Sequence, residues 1–133
     1  MAIIIDADVI IRAEKGGFDL PGWFAGQPGE NFEIAAITVA ELWHGVERAT
    51  GARRLTRNKF LQEVISSLPV VVYTEEIAYV HARIWAQLEA AGKMIGHYDL
   101  VVAATALTHD RVVATFNTHH FAMVPGLKMI APK

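Results

Sequence analysis

Ala2-Ile3-Ile4-Ile5-Asp6-Ala7-Asp8 lies at the start of the chain, and its reading decides the fold. Four apolar residues, three of them β-branched, are too few for a buried helix and enough for a short strand covered on both faces. The run stops at a carboxylate. From Asp8 to about Glu14 the pattern turns helical, until Gly16-Gly17 ends it. The same alternation continues along the chain. Strands are predicted at residues 32–37, 70–73, 111–116 and 127–130. Helices are predicted at 38–48, 53–68, 75–91 and 99–109, with a short turn or helix at 119–123. The helix at 75–91 has Ile77, Val80, Ile84, Trp85 and Leu88 on its inner stripe, and the one at 99–109 is almost wholly apolar. Residues 19–29 hold two prolines and three glycines around Trp23-Phe24, so a loop with a short helix is expected there. Strands alternating with helices give right-handed parallel crossovers. The expectation is a single α/β domain over residues 1–133, with three layers and a central, mostly parallel sheet.

Three acids stand at the hand-over from strand to helix. Asp6 ends the first strand, Glu41 lies in the first turn of the helix after the second, and Asp99 opens the apolar helix. Carboxyl ends of parallel strands line one edge of a sheet, so acids far apart in sequence meet in one crevice. Clustered carboxylates repel, and such a cluster calls for a cation, a shared proton or basic partners. Each acid also has a purely structural reading. Thr38-Val39-Ala40-Glu41 has the form of a capping box, Asp99 suits a helix start, and Asp6 suits an Asx-turn or a cap. Asp8 reads equally as a cap of the first helix. The shared edge favours a hard-metal site.

Composition narrows the class. The net charge is −2 and the pI about 6.3, so nucleic-acid binding needs a local patch rather than a global field. Cysteine is absent, which excludes disulfide and thiolate chemistry. No basic, apolar leader pattern opens the chain and no run approaches the roughly 18 residues of a membrane span. A soluble cytoplasmic protein is the expectation. Apolar residues make up 53%, and counting glycine in and tyrosine out still exceeds the roughly 45–50% of typical domains. Part of that surface is expected to meet a partner.

Four stretches together resemble the PIN-domain family, and within it the VapC-type toxins of bacterial toxin–antitoxin pairs. They are Ile3-Ile4-Ile5-Asp6-Ala7-Asp8, Thr38-Val39-Ala40-Glu41-Leu42-Trp43-His44-Gly45, Gly96-His97-Tyr98-Asp99-Leu100-Val101-Val102-Ala103-Ala104, and Val113-Ala114-Thr115-Phe116-Asn117-Thr118-His119-His120-Phe121. The resemblance implies a ribonuclease using Mg²⁺ or Mn²⁺ held by Asp6, Glu41 and Asp99. Asn117 matches the Asn of the family's Thr-Arg-Asn-x-x-Asp-Phe segment, while Thr38 and His120 are accessory candidates. Two positions depart from that segment. Phe116 replaces its Arg, and His120 replaces an Asp that often supplies a fourth carboxylate. Asp8, where the family more often has Asn or Ser, adds a carboxylate that can compensate. A single firmly held ion is therefore expected rather than a full two-metal centre.

Mg²⁺ prefers oxygen ligands, keeps several waters, and takes one or two carboxylates plus phosphate oxygens. It lowers the pKa of a bound water and neutralises charge on a scissile phosphate. Positive charge for RNA is concentrated in Arg48, Arg53, Arg54, Arg57 and Lys59, a run without acids, and Arg12 on the first helix is a further candidate. The alternative for each is a solvated helix face. His44, His97, His119 and His120 can meet RNA, but none forms a helical i, i+4 metal pair. The family resemblance implies a homodimer and a small VapB-like antitoxin seated around the first four helices, near Trp43 and Phe60. Two other functions fit parts of the pattern. A haloacid-dehalogenase-like phosphatase would use Asp6 as nucleophile and Asp8 as acid/base, but its later motifs are missing. A non-catalytic domain that binds RNA or a partner is the other.

Overall fold

The computed structural model describes residues 2–133. Five strands, β1 (Ala2–Ile5), β2 (Asn31–Ala35), β3 (Val70–Val71), β4 (Val112–Ala114) and β5 (Lys128–Ile130), form one sheet in the order β3-β2-β1-β4-β5. Every pairing is parallel. The helices are α1 (Ala7–Glu14), α2 (Leu20–Ala25), α3 (Ala36–Arg48), α4 (Gly51–Ser66), α5 (Glu75–Ala90), α6 (His97–His109) and α7 (Thr118–Phe121). The expected three-layer α/β/α architecture is present, and the sheet is wholly parallel. No helix among the described residues is long and apolar enough to cross a membrane.

The isoleucine run shows why both faces must be covered. Ile3 and Ile5 point into one core with α1 to α4, and Ile4 points into the other with α5, α6 and α7. Ile34 and Ala35 divide between the two cores in the same way, as do Ala114 and Val113. Period-two alternation between two apolar layers leaves no polar face on these strands.

Several element boundaries move. α3 begins at Ala36, two residues before Thr38, and its N-cap Ala35 makes no side-chain cap bond. The capping-box reading of Thr38 and Glu41 is therefore wrong. Thr38 is fully buried inside the helix, and Glu41 is left for other work. α6 begins at His97 behind Gly96, so Asp99 is not its cap either. Asp6, by contrast, does cap: its Oδ1 accepts the Ala7 N–H at 2.8 Å. Asp8 therefore does not cap α1. Trp85 leaves the inner stripe of α5 and is 48% exposed. The buried line is Ile77, His81, Ile84 and Leu88, and Trp85 stands about 100° around the helix from Ile84.

Arg57 clamps three helices. Its Nε donates to both Glu14 oxygens at 3.1 Å, and its Nη1 donates to the Gly45 carbonyl at 3.1 Å. A Cβ on Gly45 would stand 3.1 Å from that Nη1, so glycine leaves the guanidinium its place against α3. Arg57→Met is expected to lower stability by about 2 kcal/mol, below the ~3–5 kcal/mol for breaking a fully buried pair because both side chains keep some solvent contact. Urea denaturation measures the loss, and Glu14→Gln added to Arg57→Met is expected to recover part of it. A single variant as stable as the parent removes the clamp from the account.

Candidate active site

The strand order reverses direction at β1. From β1 the chain passes outward through β2 to β3, then returns to β4 on the other side and continues to β5. The crevice at such a switch point, beyond the carboxyl ends of the two central strands, is where α/β sheets place ligands. Ile5 pairs with Ala114, so the next residues on the two strands, Asp6 and Thr115, emerge side by side. The Asp6 N–H donates to the Ala114 carbonyl at 2.9 Å. The Thr115 hydroxyl donates to Asp6 Oδ2 at 2.8 Å and lies 3.3 Å from Asp8 Oδ2. Asp8 accepts the Phe116 N–H at 3.1 Å. The Asn117 N–H closes the turn on the Thr115 oxygen at 2.9 Å. Thr115 was not singled out from the sequence. Its signal was positional: it is the first polar residue after β4, as Asp6 is after β1.

Asp99 enters from α6 and Glu41 from α3. The carboxylates feel one another. Burial, then the Asp8 charge and more weakly Asp99, push Asp6 up to about 7, against the lowering by Thr115 and the Ala7 N–H. Glu41 is raised by burial and by Asp99 and Asp8. Asp99 is raised by burial and by Asp8, and His120 opposes that rise. Asp6, Asp8, Glu41 and Asp99 thus share one electrostatic environment, as the sequence predicts for the three strand-end acids. Asn117 and His120 join it as a pair. Asn117 Nδ2 meets His120 Nδ1 at 2.7 Å, and that imidazole nitrogen stands 3.7 Å from Asp99 Oδ2, an electrostatic contact rather than a hydrogen bond. Thr38, one turn before Glu41, is buried with its hydroxyl unpartnered.

This donor set fits a hard divalent cation. The atoms that would ligate it are carboxylate oxygens, and among the described residues no lysine or arginine forms an ion pair with Asp6, Asp8, Glu41 or Asp99. Among the described residues, no three acidic or histidine side chains close on one point, so few protein ligands would reach one ion directly. That suits an ion that keeps several waters.

The basic candidates divide. Arg54 is held by Glu47 at 3.4 Å and Arg57 serves the helix clamp. Arg48 and Arg53 line a cleft of about 300 Å³ with Gly45, Ala49 and Thr50. A neighbouring cleft sharing Gly45 and Arg57 reaches Glu41. Arg12 lies over the Phe116 ring. Trp43 and Phe60 pack partly buried against the core.

The charge cluster makes its own prediction. A folded carboxyl titrating near 7 against an ordinary 3.8 holds a proton that the unfolded chain releases, so without a cation stability falls as pH rises through that window. Asp6→Asn keeps the cap through its amide oxygen, turns the Thr115 hydrogen bond round so that the amide donates, and removes the charge. In chelator-treated protein at pH 7.5 it is expected to raise stability by on the order of 2 kcal/mol and flatten the pH dependence. A lower urea midpoint than the parent's at that pH contradicts this.

Comparison with known proteins agrees with the geometry. The PIN domain profile matches residues 3–127. A VapC ribonuclease of Sinorhizobium fredii is 34% identical, over 98% of this chain and 96% of its own. Ribonuclease VapC1 of Rickettsia felis is 31% identical over the same shares. The DNA-bound VapBC structure from Salmonella typhimurium superposes with a TM-score of 0.89 at 25% identity, covering 98% of each chain. Strand order, the acids at the switch point and these likenesses agree: the chain belongs to the PIN-domain family, among its VapC members.

Proposed function

We propose that this chain is a divalent-cation-dependent endoribonuclease of the cytoplasm, acting as the toxin of a toxin–antitoxin pair. The observation that carries the reading is the group of four mutually repelling carboxylates at the β1–β4 switch point. Relatives that carry the ribonuclease name, and a VapBC complex of the same fold, support it. Asp6 and Asp99 are the direct ligands for Mg²⁺ or Mn²⁺, and Glu41 ligates or orients water. An ion bound there supplies an activated water and neutralises charge on the scissile phosphate. The chain's own contribution is placement. Thr115 fixes the Asp6 rotamer, Asp8 ties the turn after β4 to α1, and the Asn117–His120 pair positions the imidazole beside Asp99. Asp6 is nearly cut off from water, which strengthens the charge interactions around it.

His120 at the position of a fourth acid favours the non-catalytic reading as the second choice. For the partners, the exposed apolar residues Val72, Tyr79 and Trp85 on and beside α5 suit a second copy of the chain. The cavity of about 390 Å³ lined by Phe18, Phe24, Phe60 and Val64 suits an apolar segment of a VapB-like antitoxin.

Incubation of the purified chain with single-stranded RNA tests the reading. Cleavage is expected with Mg²⁺ or Mn²⁺ and is expected to stop with a chelator. Asp6→Asn and Asp99→Asn are each expected to lower the rate by about 100-fold or more. Cleavage persisting in both variants, or absent in the parent with either ion, sinks the nuclease reading. His120→Asp adds a carboxylate and is expected to lower the Mg²⁺ concentration for half-maximal cleavage by about threefold or more. An increase there would assign the imidazole a favourable part in the site.

A further inference from the structure

Arg12 has an unusual setting for a surface cation. It lies on α1 one turn beyond Asp8, and its guanidinium carbon sits 3.8 Å from the centre of the Phe116 ring. Phe18 meets that ring edge-on, with centroids 5.4 Å apart and planes at 81°, so the shelf under the guanidinium is braced. The stem has room to lie against the turn after α1 because position 17 is glycine. A Cβ on Gly17 would stand 3.1 Å from Arg12 Cγ, and the Gly17 N–H is bonded to the Arg12 carbonyl at 2.9 Å. Despite this, the side chain is exposed, and among the described residues its N–H groups have no hydrogen-bond or ion-pair partner. The nearby acids are occupied: Asp8 accepts from Phe116 and Glu14 is held by Arg57. A guanidinium over an aromatic face keeps its fork of donors free, and that fork matches phosphate oxygens.

Position gives this cation its meaning. Phe116 directly follows Thr115, whose hydroxyl is bonded to Asp6. The Phe116 N–H in turn donates to Asp8 at 3.1 Å, so the ring that carries the guanidinium is tied to the carboxylates through its own backbone.

We propose that Arg12, shelved on Phe116, binds a backbone phosphate of single-stranded RNA next to the scissile one and so positions the strand over the carboxylates. Arg12 is a positioning residue in this scheme, outside the reacting atoms. The assignment rests on the ribonuclease reading above.

Single-turnover cleavage as a function of RNA and KCl concentration tests it. Arg12→Ala is expected to raise the half-saturating RNA concentration about five- to tenfold, with the maximal rate within about twofold. The slope of log affinity against log salt is expected to become shallower by about 0.7, one phosphate's share on a single strand. Phe116→Leu, which keeps the apolar packing and removes the ring face, is expected to move both readouts in the same direction by less. Arg12→Ala combined with Phe116→Arg is expected to return toward the parent. Unchanged half-saturation and salt slope in a folded Arg12→Ala protein overturn the proposal, as does a fall in maximal rate alone. If the parent cleaves no RNA, the ribonuclease reading fails separately. Fluorescence anisotropy of labelled single-stranded RNA then decides, and equal affinity of parent and Arg12→Ala overturns the Arg12 assignment as well.

Discussion

The parallel pairing of β1 with β4 is the constraint from which the site follows. Helical connections leave these two neighbouring strands toward opposite edges of the sheet, so a crevice forms beyond their carboxyl ends. Registry does the rest. Once Ile5 lies opposite Ala114, Asp6 and Thr115 are adjacent without any search by flexible loops. The two apolar cores hold that registry, because a slip of one residue would send Ile3 and Ile5 to the wrong layer.

What the fold brings together there is electrostatically costly. Asp6 is nearly inaccessible to solvent and feels Asp8 and Asp99, with the Ala7 N–H and the Thr115 hydroxyl to offset them among the described residues. A domain with dense apolar layers on both sides of its sheet can carry such a penalty, which is typical of a site kept for chemistry rather than stability. His120 fits the same account. It brings an imidazole toward Asp99 where the family pattern has another acid, which reduces the like-charge load on the crevice.

Much of this was legible in the chain. The isoleucine run, the apolar stripes and the glycine–proline breaks identify the element order because burial on both faces leaves a periodic record. Asp6, Glu41 and Asp99 were readable as partners because strand ends share an edge. Other features left no local mark. Thr38 imitates a cap, and only the backbone preceding it, helical from Ala36, decides that it is interior. Trp85 is apolar and near the stripe of α5, yet it reaches only the start of α6, edge-on to His97, and stays half exposed. Thr115 and Arg57 act through contacts 109 and 43 residues away in sequence, and no pattern within one element records them.

One helix carries a disproportionate share. α1 is eight residues long, too short to persist alone in water, and it bears Asp8, Arg12 and Glu14 behind the Asp6 cap. Two of the four carboxylates, the Arg12 cation and the anchor to α4 therefore ride on one short helix and its cap. Ala7, Val9 and Ile10 bury the inner face of this helix in the same core as Ile3, Ile5 and Ala114 of the sheet. The site is therefore mounted on the core itself, and a change that loosens the packing under α1 reaches the carboxylates without touching them.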